Sequence, residues 1–279
     1  MKNYHNYLGL GIAGNFALHL DQAGEAEDFK EIITADEAAP KGMFPFYLPS
    51  DTHDAKKTLS IYPLDAKHIK LPKEDVNVQA EPEIGLICTI EYDDAKNISK
   101  VIPTHFGAYN DCSIRVKGAS KISDKKNWGP SSKGISDTLF EIDTFNKGGI
   151  MDKFSIASFL RRDAKVHAYG EDVELNGYSY FYTQLTEWII NQINTQKDFG
   201  PLEHISSYIT ACHYPTQAII SIGATRYTQY GESTFLKNND EVIVIVYNHD
   251  LCSKQELLDS INNSDYDATK ISVLAQKVL

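Results

Sequence analysis

Apolar positions along most of this chain fall in short alternating or continuous runs. Ile84–Tyr92, Ser99–Pro103, Lys165–Tyr169, Val173–Leu175, Ala218–Ile222 and Glu241–Val246 each read as a β-strand. Two stretches switch to helical spacing: Tyr182–Gln196, with Leu185, Trp188, Ile189 and Ile193 on one face, and Leu202–Ala211. Asn176-Gly177 is a hairpin-type turn signal, and the alternation of Tyr178, Tyr180 and Tyr182 reads as sheet packing. The tail, Ser253–Leu279, reads as one or two helices. The first third is different: an apolar stretch Leu8–Leu20, an acidic helical stretch Gln22–Ala39, and a loop region through Pro49, Pro63 and Pro72. The pattern predicts an α+β, mostly β protein, with an N-terminal lid or subdomain over residues 1–75 and a body over 76–279.

With 279 residues, 42% of them apolar, the chain can bury a core in one large domain or in a small and a large one. A net charge of −11, with no Lys/Arg cluster interleaved with aromatics, argues against nucleic acid as a partner. Cys88, Cys112, Cys212 and Cys252 form no C-x-x-C pair and read as buried thiols of a reducing compartment. Leu8–Leu20 is broken by Asn15 and His19 and lacks a cleavage signal, and no run reaches the ~20 apolar residues of a membrane span. No membrane partner is expected, and the default address is the cytoplasm.

Candidate chemistry concentrates at Glu81-Pro-Glu83 and Asn110-Asp111. Residues i and i+2 of a strand share a face, so Glu81 and Glu83 converge, and Asp111 supplies a third carboxylate from a later segment. Hard oxygen donors without His or Cys favour Mg²⁺, Mn²⁺ or Ca²⁺ over zinc. A Glu-x-Glu pair alone also suits a solvated strand face. Here the apolar Ile84, Gly85, Leu86 and Ile87 follow it, and burying unpaired carboxylates is costly without a cation.

Gly9-Leu-Gly-Ile-Ala-Gly-Asn-Phe-Ala-Leu-His19, Glu81-Pro-Glu83-Ile-Gly-Leu-Ile, Asn110-Asp-Cys-Ser-Ile-Arg115, Trp128 with Lys133-Gly, and Ile222-Gly-Ala-Thr225 with Phe235-Leu-Lys-Asn-Asn-Asp240 together resemble the fumarylacetoacetate hydrolase family. Their order holds over roughly 230 residues, with 28 positions from Glu83 to Asp111 and 22 from Asp111 to Lys133. The resemblance implies a mixed β-roll built around a pseudo-barrel, often a homodimer, with a divalent metal at its mouth. It implies small oxo-acid substrates, acylpyruvates or oxaloacetate-like, and C–C hydrolysis, decarboxylation or keto–enol isomerisation.

Carried onto this chain, the resemblance makes Glu81, Glu83 and Asp111 the ligands of Mg²⁺, or of Mn²⁺ or Ca²⁺, and Lys133 a second positive charge for the substrate oxyanion. Taken alone, Lys133 in Gly129-Pro-Ser-Ser-Lys-Gly reads as a surface lysine. Arg115 and Thr225 become contacts for a substrate carboxylate, and Asn110 orients a ligand. For Arg115 a structural ion pair is the competing reading. His19 matches the family's lid histidine, but the glutamate three positions later is Gln22 here, and an amide cannot accept a proton. That departure favours enolate chemistry without an activated water. It also keeps open a non-catalytic protein of this fold that binds a small acidic metabolite or a protein partner. The stretch Lys147–Arg162 and the tail have no counterpart in the resemblance.

Overall fold

Sheet-forming sequence dominates the computed structural model, which describes residues 3–34, 36–49, 57–116 and 119–279. In chain order the strands are β1 (Leu8–Ala13), β2 (Gly42–Tyr47), β3 (His68–Ile69), β4 (Val78–Gln79), β5 (Pro82–Tyr92), β6 (Ile98–Asn110) and β7 (Ser113–Ile114). They continue as β8 (Gly134–Ile135), β9 (Phe140–Glu141), β10 (Phe154–Arg162), β11 (Lys165–Glu174), β12 (Gln217–Ser221), β13 (Glu241–Asn248) and β14 (Ile271–Val278). The helices are α1 (His19–Gln22), α2 (Tyr182–Thr195), α3 (Ile205–Ala211), α4 (Gln229–Glu232) and α5 (Lys254–Asn263).

One sheet runs β2-β1-β12-β5-β6-β8, with β9 also on β6; a second runs β11-β10-β13-β14-β3; β4 and β7 form a separate pair. In the first sheet β1 and β12 are parallel and the remaining pairs antiparallel. The β5–β6 hairpin turns at residues 93–97, where the Asp93 carboxylate accepts from Asn97 N at 2.8 Å and Lys96 takes a left-handed φ of 66°. Leu86, Phe106 and Ala108 of this hairpin meet Ile156, Val244 and Leu274 of the second sheet in one buried cluster. Helix α2 buries Leu185, Trp188, Ile189 and Ile193 in the same cluster, the face its periodicity predicts. Each fully buried side chain of this kind contributes about 1.5–3 kcal/mol.

Strand β1 approaches β2 closely because Gly9 and Gly11 lack side chains. A Cβ on Gly9 would lie 2.4 Å from the Phe46 ring, and one on Gly11 2.3 Å from the Phe44 ring. The two rings are therefore laid flat against the backbone of β1.

Several expectations are corrected. Gln22–Ala39 is not a helix: among its described residues only a 3₁₀ turn at Ala26–Phe29 forms beyond α1, because its acidic residues lack an apolar stripe to bury. Lys165–Tyr169 and residues 173–174 are one strand, β11, continuous through Gly170, and Leu175 opens the turn that follows. Asn176-Gly177 belongs to a 3₁₀ turn at Leu175–Gly177 rather than a hairpin. Tyr178, Tyr180 and Tyr182 do not lie on a strand; their hydroxyls donate to Gly223 O, Asp36 and Asp152. The tail is helix α5 followed by β14, whose alternating Ile271, Val273 and Ala275 pack in a satellite cluster with Ile243 and Ile245 of β13. Residues 154–162, unassigned from sequence, form β10. Residues 50–56 of the proline-containing loop region lie outside the described residues. All four cysteines are free and buried. Among the described residues no helix is long and apolar enough to cross a membrane.

Candidate metal centre and its cationic surround

The site is built by strand register. Pro82 pairs with Asn110 across the open end of the β5–β6 hairpin, so one step further Glu81 stands opposite Asp111, and Asp111 N donates to Glu81 O at 2.9 Å. Asn110 pairs with Gly134 on the other side of β6, so Lys133 stands opposite Asp111 in turn. Directly opposed residues of antiparallel strands share a face with Cβ atoms about 4.5–5.5 Å apart. Glu81, Asp111 and Lys133 thus form a row across three strands, and Glu83, two residues along β5, joins them. Carboxylate oxygens of Glu81, Glu83 and Asp111 all lie within 4.8 Å of one another. All three acids are at most 3% exposed, and Lys133 is fully buried, not a surface lysine.

Cations surround the acids. Lys133 Nζ donates to Asp111 Oδ1, and Lys126 Nζ donates to Glu81 Oε2 and lies 2.7 Å from Asp111 Oδ2. Arg115 pairs with Glu81 at 2.8 Å and with Glu25 at 2.8 Å, and Lys125 also holds Glu25 at 2.8 Å. Arg115 further donates to Gln79 and to the Tyr227 hydroxyl. The ammonium of Lys126 lies over the Phe44 ring at 5.3 Å and that of Lys133 over Phe46 at 5.6 Å, within cation–π range. These are the two rings that rest on Gly11 and Gly9.

Burial opposes ionisation of Asp111, but Lys126 and Lys133 outweigh it and hold the carboxyl below its ordinary range. Burial pushes Glu83 well above the usual carboxylate value, and the Asp111 charge adds to the push. The hydrogen bond that Glu83 accepts comes from Gly223 N at 2.9 Å. Burial and the neighbouring Lys126 lower Lys133, against the pull of Asp111.

The remaining candidates lie around this floor. Asn110 accepts from Glu81 N at 3.1 Å and donates to Gln276 at 2.9 Å, so it fixes the hairpin end. Thr225 N donates to Pro82 O at 3.1 Å, and among the described residues the buried Thr225 hydroxyl has no hydrogen-bond partner. His19 is buried with Nδ1 2.9 Å from Thr225 O. A carbonyl partner requires the proton on Nδ1, which leaves Nε2 as the acceptor nitrogen. Burial lowers this imidazole to about 4. The Gln22 amide clips the strap formed by residues 14–29 to the backbone of Tyr227, donating at 3.1 Å and accepting at 2.9 Å.

Sequence reasoning missed Glu25, Lys125 and Lys126. Glu25, six positions beyond His19, reads as lying past the site on a continuous helix, but α1 ends at Gln22 and the chain turns back. The paired lysines Lys125 and Lys126 carry no motif that singles them out. In the turn Ile122–Lys125 and its cap, adjacent residues point about 120° apart, so Lys125 reaches the strap and Lys126 the floor. Trp128 just downstream, with Nε1 donating to Lys70 O at 2.8 Å, is the signal that this segment is anchored. Beside Arg115 and Lys125 lies a cavity of about 490 Å³, also lined by Ala23, Gly24, Glu25 and Val116.

The donor set suits a hard divalent cation: two oxygens on one ion at about 2.1–2.4 Å can stand at most about 4.8 Å apart, and the carboxylate oxygens of the acid triad all lie within 4.8 Å of one another. Glu83 is buried, and among the described residues no cation pairs with it directly, Lys126 acting on it only through its field, so it is the carboxylate such an ion would satisfy.

No curated protein matches the sequence. Among solved structures, a fumarylacetoacetate hydrolase family protein from yeast aligns with a TM-score of 0.56 at 14% identity, over 100% of this chain and 96% of that one. A 2-keto-3-deoxy-D-arabinonate dehydratase complexed with magnesium and 2,5-dioxopentanoate aligns with a TM-score of 0.52 at 15% identity, over 98% of this chain and 72% of that one. A 5-carboxymethyl-2-hydroxymuconate delta-isomerase from Mycobacterium smegmatis gives 0.52 at 13% identity, over 98% and 78%. At these identities the shared property is the fold, and it agrees with the mostly β roll expected from sequence. Over residues 25–278 the sequence matches the family described as "Family of unknown function (DUF5718)"; the chain belongs to that family and carries the fold of the fumarylacetoacetate hydrolases.

Proposed function

We propose that this protein is a divalent-cation-dependent enzyme that acts on a small oxo acid by stabilising an enolate. The observation that carries the reading is the register-built row Glu81–Asp111–Lys133 with Glu83 beside it. Glu81, Glu83 and Asp111 would hold Mg²⁺ or Mn²⁺, and the bound cation would supply Lewis-acid polarisation of the substrate carbonyl. Lys133 keeps an ammonium against the same face, where it stabilises negative charge developing on a substrate oxygen. Arg115, at the wall of the 490 Å³ cavity, offers a guanidinium to the substrate carboxylate, and the unpartnered Thr225 hydroxyl offers a donor. The bare Nε2 of His19 is a proton acceptor that needs no flanking carboxylate.

The similarity in fold to a magnesium-complexed dehydratase and to an isomerase is in keeping with cation-dependent chemistry of this class. Gln22, whose amide is occupied by the Tyr227 backbone, favours enolate chemistry over hydrolysis. The same occupied amide favours a second reading, a non-catalytic protein that binds a small acidic metabolite.

The test is turnover of oxaloacetate and a set of acylpyruvates, followed by ultraviolet absorbance, with protein stripped by chelator and refilled with Mg²⁺ or Mn²⁺. Turnover that requires the metal and disappears in Asp111→Ala is the expected result. Metal binding without turnover of any of them would favour the binding protein.

A further inference from the structure

Lys126 Nζ is, among the described residues, the cationic group that touches two members of the acid triad at once: it hydrogen-bonds Glu81 Oε2 and lies 2.7 Å from Asp111 Oδ2. It is 3% exposed and comes from neither sheet but from the turn that follows Ile122–Lys125. The row of strands would be complete without it, so its position is not a by-product of register.

Charge counting gives this position a meaning. With all three carboxyls ionised, as a bound ion would hold them, Glu81, Glu83 and Asp111 carry three negative charges and Lys126, Lys133 and Arg115 three positive ones around them. A divalent cation placed on top of that set would leave two uncompensated positive charges in a dry environment, which is costly. If the Lys126 ammonium withdraws as the ion enters, the excess falls to one, which a single substrate carboxylate cancels. An ammonium bridging Glu81 and Asp111 also engages the oxygens that the ion needs.

We propose that Lys126 is the resident cation of the metal-free site, and that a divalent metal loads by exchange with its ammonium. The inference rests on the cation-dependent reading above and adds to it a competitor built into the chain. It accounts for how Glu81 and Asp111 stay buried side by side before any metal arrives, and it makes metal affinity a balance between ion and lysine.

The experiment is titration of chelator-stripped protein with Mn²⁺ alone, by calorimetry and by electron paramagnetic resonance of free Mn²⁺. Lys126→Met removes the competitor and is expected to bind Mn²⁺ about tenfold tighter or more than the unmodified protein. Lys126→Arg keeps the charge and is expected to stay near the unmodified affinity, while Asp111→Asn loses binding. Should Lys126→Met fail to fold without metal, the unmodified protein carries the test. Its hydrogen-bonded lysine ammonium resonance, assigned by its loss in Lys126→Arg, is expected to shift or vanish as Mg²⁺ saturates. Equal or weaker Mn²⁺ binding by Lys126→Met, or an unmoved ammonium resonance at saturation, overturns the exchange while leaving the metal site standing. Absence of Mn²⁺ binding in every variant overturns the exchange and the cation-dependent reading together.

Discussion

The strap over residues 14–29 and the strand floor beneath it each bury a glutamate, and they treat it in opposite ways. Glu25 of the strap is 8% exposed and Glu83 of the floor 2%. Burial pushes both carboxyls up, yet Arg115 and Lys125 bring Glu25 down to about 2 while Asp111 drives Glu83 further up. The difference lies in neighbours, not in depth. Among the described residues Glu25 has two cationic partners at 2.8 Å, whereas Glu83 accepts from a backbone N–H, sits beside two acids and feels Lys126 without pairing with it. A carboxylate with its cations already supplied is a clasp, and one without them is a vacancy for a cation.

The largest effect that would break this contrast is expected from Arg115→Met. It strips Glu25 and Glu81 of one guanidinium and is expected to destabilise the protein by about 3–5 kcal/mol in urea denaturation. A loss below about 1 kcal/mol would mean that the clasp is not held by charge.

A second effect separates the strap by pH. His19 has a folded value of about 4 against 6.5 when exposed, so between those values the unfolded chain binds the extra proton. The His19 contribution is therefore full above pH 6.5 and declines as pH falls toward 4, by about 3 kcal/mol in all. Glu25 titrates lower, its contribution falling from pH 4.5 toward 2. Denaturation curves for the unmodified protein and His19→Gln should diverge in slope across the upper window; parallel curves would show that the imidazole is solvated.

The smallest effect sharpens the contrast most. Glu83→Gln replaces a carboxyl whose ionisation burial and Asp111 already oppose, so it is expected to change metal-free stability by less than about 1 kcal/mol while abolishing the melting-temperature rise produced by Mg²⁺. Glu25→Gln, the matched change in the strap, is expected to lower stability instead. If both substitutions lowered stability equally, neighbours would not be what distinguishes the two sites.

Much of the floor was legible in the sequence because it follows from period and register. The runs that became β5, β12 and β13 alternate or stay apolar long enough to declare themselves, and α2 buries the four residues its spacing names. Glu81, Glu83 and Asp111 come together because i, i+2 and cross-strand pairing are local rules. What was not legible depends on tertiary packing. Gly9 and Gly11 mask β1, whose value lies in the missing side chains, and Pro45 masks β2, an edge strand of its sheet where a missing N–H is tolerated. The tail strand β14 is recruited by β13, not by its own propensity. Lys126 is invisible for the same reason: nothing in Ser123-Asp-Lys-Lys-Asn says which of two adjacent lysines turns inward.

The glycines of β1 have one more consequence. Because Phe44 and Phe46 lie against Gly11 and Gly9 and the ammonium groups of Lys126 and Lys133 lie over those rings, the rear of the site is a stack one methyl group thick in tolerance. Protein engineers thus have a remote dial: adding a single methyl group at either glycine displaces a ring, and with it the cation in front, without altering a titratable group.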